Sequence, residues 1–119
     1  IGASSGVAGW HLVEKILADV PDLTLVITEH GSWGHDRLFR PLVERYENIY
    51  RDSSRYALDG GIRDFVGKYG AERLLFGTGF PHWNAGGPIL MLMHADIAEK
   101  EREMIASGNL ERILGRVRL

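Results

Sequence analysis

The sequence predicts an α/β fold with parallel strands, and three observations carry that prediction. Short apolar runs alternate with stretches of helical periodicity, in the order helix, strand, helix, strand, helix, strand, helices. Successive strands stand roughly 20 residues apart, room for a crossover helix and too much for a hairpin. The run Leu23–Thr28 (LTLVIT) is apolar on both faces, as strands covered by helices on either side are.

Each element has its own signal. Val7, Trp10, Val13, Ile16, Leu17 and Val20 recur at the three-and-four spacing of an amphipathic helix over 7–20, which Pro21–Asp22 stops. Leu23–Thr28 follows as the first strand, then the Gly-punctuated loop Glu29–Asp36 (EHGSWGHD). A second helix covers Arg37–Tyr46, or only Pro41–Tyr46, because proline is comfortable in a first turn. Asn48–Arg51 (NIYR) is a short strand and Ser53–Gly60 a polar loop. Ile62, Phe65, Val66 and Tyr69 define a third helix that Gly70 closes. Arg73–Phe76 (RLLF) is the third strand, ahead of a long loop over Gly77–Gly87. A helix over 97–106, opened by Asp96 and Glu99 as a capping box, and another over Leu110–Leu114, capped by Asn109, finish the chain. The apolar run Ile89–Met93 reads as core.

Composition narrows the function classes. The 119 residues suit one domain over 1–119, and no linker or fixed repeat divides them. Fourteen basic and 16 acidic residues, scattered along the chain, give a net charge of −2, so neither nucleic acid nor a membrane surface is an expected partner. No apolar run is long enough to span a bilayer. With no cysteine there is no disulfide framework, thiolate metal site or cysteine nucleophile, which fits a cytoplasmic protein. Ile1 is not an initiator methionine and Ile1–Gly9 lacks the regions of a signal peptide, so the chain reads as processed, truncated or excised from something longer.

Ligands of α/β folds bind at the carboxyl ends of the strands, so the residues there come first. His30, followed by Gly31, stands where an imidazole could bind a metal or move a proton; the alternative is a loop histidine bonded to backbone. The segment 77–83 (GTGFPHW) allows a sharp turn and close ligand approach, and it lacks the Gly-Lys-Ser/Thr ending of a phosphate-binding loop. His82 there could contact substrate, or be a solvated histidine beside a packed Trp83. His30 and His35 lack a carboxylate at a metal-site offset, and there is no Gly-x-Ser-x-Gly elbow. His11 and His94 read as surface or helix-packing residues. Arg37, Arg40 and Arg45, with Glu44 and Glu47, read as a solvated helix face.

Four segments together resemble a known family: His30-Gly31 after a strand, Glu47-Asn48-Ile49-Tyr50, the run 69–82 (YGAERLLFGTGFPH), and Asn109-Leu110-Glu111-Arg112-Ile113-Leu114-Gly115. They are similar to the carboxyl-terminal half of the amidohydrolase-related family, metal-dependent hydrolases and decarboxylases on a (β/α)₈ barrel. The similarity runs from about Leu23 to Gly115, and 69–82 is its most specific part.

The resemblance implies that the three strands are the sixth, seventh and eighth of such a barrel. His30 would then be the sixth-strand histidine, a metal ligand or catalytic group, with His82 and Trp33 on the substrate. The family's metal is a divalent cation, zinc first. The family's histidines on the first and fifth strands are not in this chain, and its eighth-strand pattern Gly-Thr-Asp-Phe-Pro reads here with Gly79 in place of the aspartate. His30 is thus the one candidate ligand, no neighbouring residue takes the place of that aspartate (Asp36, Asp52 and Asp59 lying in other loops), and no metal is expected on this fragment alone.

Two classes of function follow: the carboxyl-terminal part of an amidohydrolase-like hydrolase or decarboxylase, inactive as a fragment, or a non-catalytic barrel that has lost its metal centre. An unrelated α/β domain is the blander third. A three-stranded parallel sheet also leaves two open edges and apolar side chains such as Leu25, Ile27 and Leu75. These are expected to be covered by the missing half of the barrel, by another copy, or by rearranged helices.

Overall fold

The computed structural model describes residues 9–28, 36–56 and 58–117 of the chain. Its elements run α1 (Trp10–Asp19), β1 (Leu25–Ile27), α2 (Asp36–Arg45), β2 (Ile49–Asp52), α3 (Gly61–Tyr69), β3 (Leu74–Leu75), α4 (Gly86–Met93), α5 (Glu99–Glu103), a π-helical turn (Met104–Gly108) and α6 (Asn109–Leu114). The strands lie in the order β1-β2-β3, both pairs parallel, with Leu25 opposite Ile49 and Arg51 opposite Leu74. The α/β prediction and both parallel pairings therefore hold. Each pair is joined through a helix, the long crossover that parallel neighbours require.

The strands are shorter than their apolar runs. Leu23 leaves its carbonyl to the Asn48 side-chain amide, which also donates to Pro21. Phe76 gives its N–H to Ile105 in the π-helical turn at 2.9 Å. The core gathers Val13, Leu17, Phe39, Ile49, Ile62, Phe65, Leu74 and Ile105 between the helices and one face of the sheet. Ile27 and Leu75 are buried by the chain's own elements, so their burial calls for no second copy. Among the described residues no helix is long and apolar enough to cross a membrane.

Of the two readings of the second helix the longer one holds: α2 begins at Asp36 and Pro41 sits inside it. Four local expectations are corrected. Arg40 is no solvated residue: its guanidinium bonds Asp36 and, across to α3, Asp64. The run Ile89–Met93 belongs to α4, and its Ile89, Leu90 and Met93 face solvent while Leu92 is buried; a helix packed on one side keeps only one stripe inside. The cap of α5 falls two residues later than expected, where Glu101 accepts the N–H of Ala98 at 2.9 Å. Asn109 caps nothing. The helical backbone runs on through the π turn, and its buried side-chain amide donates instead to Ala71 O and Leu74 O, both at 2.8 Å, pinning α6 beneath β3.

Candidate functional site

Parallel pairing puts the carboxyl ends of all three strands on one side of the sheet. Among the described residues, that side receives Thr28 from β1, the turn 53–56 from β2 and the loop 77–85 from β3. His30 and Trp33, expected as catalytic and substrate-binding residues, lie outside the described residues. His82 is present in the loop after β3, exposed to solvent.

Two turns close on each other here. Ser53 N–H donates to Leu75 O at 2.9 Å, and its hydroxyl both accepts from Gly77 N–H at 3.2 Å and approaches Gly77 O at 3.3 Å. Asp52, the last residue of β2, follows an alternation that sets Ile49 and Arg51 against the helices and Tyr50 and Asp52 on the opposite face. Its Oδ1 accepts from Ser54 Oγ at 2.9 Å. Its Oδ2 lies so close to the end of β3 that a Cβ on Gly77 would stand 2.7 Å away. Gly77 is the residue that lets this carboxylate lean over β3.

Position 79 behaves differently from its family pattern. Gly79 has φ +69°, a left-handed conformation that side-chain-bearing residues rarely adopt, and a Cβ there would meet Trp83 Cδ1 at 2.7 Å. The Trp83 N–H donates to Gly79 O at 3.0 Å, and the Arg55 guanidinium stacks over the indole at 4.4 Å. The space next to Gly79 is filled by an aromatic ring. Asp52, dismissed from the sequence as a residue of another loop, is among the described residues a carboxylate that reaches this end of the sheet.

Behind the mouth stands a buried ionic cluster. Arg51 is fully buried, with its guanidinium 3.8 Å from the Tyr56 ring centre and 5.3 Å from that of Phe39. It meets Asp36 at 3.0 Å, and Asp36 in turn holds Arg40 at 2.5 Å. Arg40 Nη2 donates to the Tyr56 hydroxyl at 3.3 Å, and that hydroxyl lies 3.5 Å from Asp36. Burial pushes the Arg51 pKa down and that of Tyr56 up. For Arg40 burial acts downward, but the hydrogen bonds to Asp64, Asp36 and Tyr56 outweigh it and raise the value. The cluster ties the first residue of α2, directly after 29–35, to β2 and to the turn that carries Ser53 and Ser54. One signal in the sequence pointed to it: in Ile49-Tyr50-Arg51-Asp52 the alternation places an arginine on the apolar helix-facing side, which demands a carboxylate.

The donor set for a metal can be tested directly. Among the described residues no three His, Asp or Glu side chains come together as a cation site. Asp52 is engaged by Ser54, and position 79 has no side chain. These residues do not by themselves fit the divalent ion that the family generally uses.

A family model described as amidohydrolase matches residues 10–116, so the similarity begins at α1, upstream of where the sequence motifs placed it. Among solved structures, an uncharacterised TIM-barrel protein from Bordetella bronchiseptica superposes with a TM-score of 0.68 at 30 % identity. The match covers 87 % of this chain and 38 % of that one. No curated relative matches. The chain thus spans well under half the length of the barrel it resembles.

Proposed function

Because the chain belongs to the amidohydrolase family, we propose that it supplies the sixth to eighth strands of a metal-dependent hydrolase or decarboxylase and is inactive without the rest of the barrel. The observation that carries this reading is the Asp52 carboxylate over Gly77, at the carboxyl end of a parallel sheet whose counterpart is a TIM barrel. Family members place their reacting groups at that face of the barrel. Asp52 is the group able to accept a proton there, with Ser54 orienting it, and His30 is the imidazole brought in from β1. His82 and Trp33 complete the substrate side. The remaining strands come from the other part of a barrel or from a second copy.

A second reading, a barrel that binds without catalysing, is favoured by one feature: Trp83 fills the space beside Gly79 where the family's aspartate would stand. Metal content by plasma mass spectrometry, together with turnover in the full-length protein, separates the two. The enzyme reading expects about one divalent ion per full-length chain, with turnover reduced by Asp52→Asn. Absence of metal and turnover, with both gained only in a Gly79→Asp/Trp83→Ala variant that makes room for the carboxylate, establishes the second.

A further inference from the structure

β3 lies at the edge of the sheet, and its outer side is already occupied. In a parallel sheet alternate residues turn their N–H and C=O to opposite neighbours. Arg51 N–H donates to Arg73 O at 3.1 Å and Ser53 N–H to Leu75 O at 2.9 Å, so Leu75 turns toward β2 while Leu74 and the Phe76 N–H turn outward. Such an edge is a template on which another strand can pair. Here the chain itself meets these groups. Leu74 N–H goes to Ala71 O at 3.2 Å, Leu74 O accepts from the Asn109 amide at 2.8 Å, and Phe76 N–H donates to Ile105 O at 2.9 Å. We propose that the π-helical turn and Asn109 plug a seam beside β3, keeping any further strand off Leu74 and the Phe76 N–H in the complete barrel. A strand that reaches β3 pairs with it only beyond Phe76, at the mouth end. This goes beyond the proposed function and rests on it only for the presence of the remaining strands.

The plug is a packed contact rather than a fraying end. Leu74 is 0 % exposed, and Ile105 and Asn109 are 1 % exposed each. Both kinds of polar atom on the Asn109 side chain are engaged. Its Nδ2 donates to Ala71 O and Leu74 O, and its Oδ1 accepts from Arg112 Nη2 at 3.3 Å. The same Nη2 lies 3.1 Å from Glu72 O, so α6 holds the chain on both sides of Arg73. The π turn supplies the other half. Asn109 N–H reaches back five residues to Met104 O, the wider ladder of a π-helix, and Ile105 within that turn presents its carbonyl to the strand.

Two occupants compete for one space. Neighbouring strands lie about 4.8 Å apart. In parallel pairing a single residue of a new strand would donate to Leu74 O and accept from Phe76 N–H. Asn109 and Ile105 already perform those two tasks. Admitting the strand gains no hydrogen bond at β3, and it leaves the buried Asn109 amide without its acceptor there. The plug therefore stays.

The full-length protein provides the test. Its crystal structure should show Phe76 N within hydrogen-bond distance of Ile105 O and no strand residue on Leu74 O. A strand residue bonded to both Leu74 O and Phe76 N–H overturns the proposal. Amide hydrogen exchange reads the same contact in solution, with Ser53 N–H, on the β2 side of β3, as internal reference. Asn109→Ala should speed exchange at Phe76 about 10- to 100-fold relative to Ser53, the local opening expected when a buried hydrogen-bonded contact is lost. An unchanged ratio in the folded variant overturns the proposal as well, because a barrel strand would then be holding that amide. Should Asn109→Ala fail to fold, the crystal structure of the unaltered protein decides alone. Metal content and turnover test the hydrolase reading separately, so a failure of either is recognisable as its own.

Discussion

Replacing Asp36 by asparagine keeps the shape of the side chain and removes the charge that faces Arg51 and Arg40. The Asp36 side chain is 13 % exposed and that of Arg51 is wholly buried, so solvent screens this pair very little. Withdrawing one partner from a buried pair leaves the other charge uncompensated, a loss of about 3–5 kcal/mol. Arg40 keeps Asp64 as a partner, so the cost falls chiefly on Arg51, whose buried guanidinium loses the Asp36 carboxylate at 3.0 Å. Against a typical total of about 5–15 kcal/mol, this is a third or more of the stability of such a domain. Arg51→Met should be milder, about 1–2 kcal/mol, because an apolar chain suits the space between Phe39 and Tyr56 and Asp36 still holds Arg40. Urea unfolding at pH 7, followed by far-UV circular dichroism, measures both. A cost below about 1 kcal/mol for Asp36→Asn, or a larger cost for Arg51→Met than for Asp36→Asn, refutes the view that Asp36 is the hub of the cluster.

The alkaline limb of stability should carry the signature of Tyr56. Its pKa is raised in the folded state, chiefly by burial, so the unfolded chain loses its proton first and stability falls as pH climbs past the ordinary tyrosine value of 10.0; Tyr56→Phe should flatten that fall in unfolding midpoints between pH 9 and 11. Asn109→Ala strips the partner from two buried carbonyls, those of Ala71 and Leu74, and is expected to cost about 2–3 kcal/mol in the same urea assay. Gly79→Ala must hold an L-residue at φ +69° and displace Trp83, for about 1–2 kcal/mol from the backbone alone and a red shift of tryptophan emission as the indole moves into water. Pairing it with Trp83→Ala should leave only the backbone part.

The order of the elements, the parallel pairing and the class of fold were legible in the sequence, because each rests on periodicity and spacing within one segment. Val13 and Leu17 could only face inward from a 3.6-residue repeat, and Gly70, at φ +81° after Tyr69, ends α3 where the sequence set its cap. Element ends were less legible. Asn109 has the look of a cap, yet Ala71 and Leu74, some 35 to 38 residues away in the chain, offer its amide two carbonyls and decide its role.

The candidate site divides along the same line. That the strand ends would hold it, and that Gly79 replaces a carboxylate, could be read from one loop motif. That Asp52 leans across to Gly77, that Trp83 fills the space beside Gly79, and that Arg55 rests on Trp83 depend on how far apart two neighbouring strand ends lie. Only the tertiary structure decides the first and the last of these, since Asp52 and Gly77, and Arg55 and Trp83, are 25 and 28 positions apart in the chain. A sequence pattern reports which face a side chain takes; the packing of one strand against the next reports what it meets there.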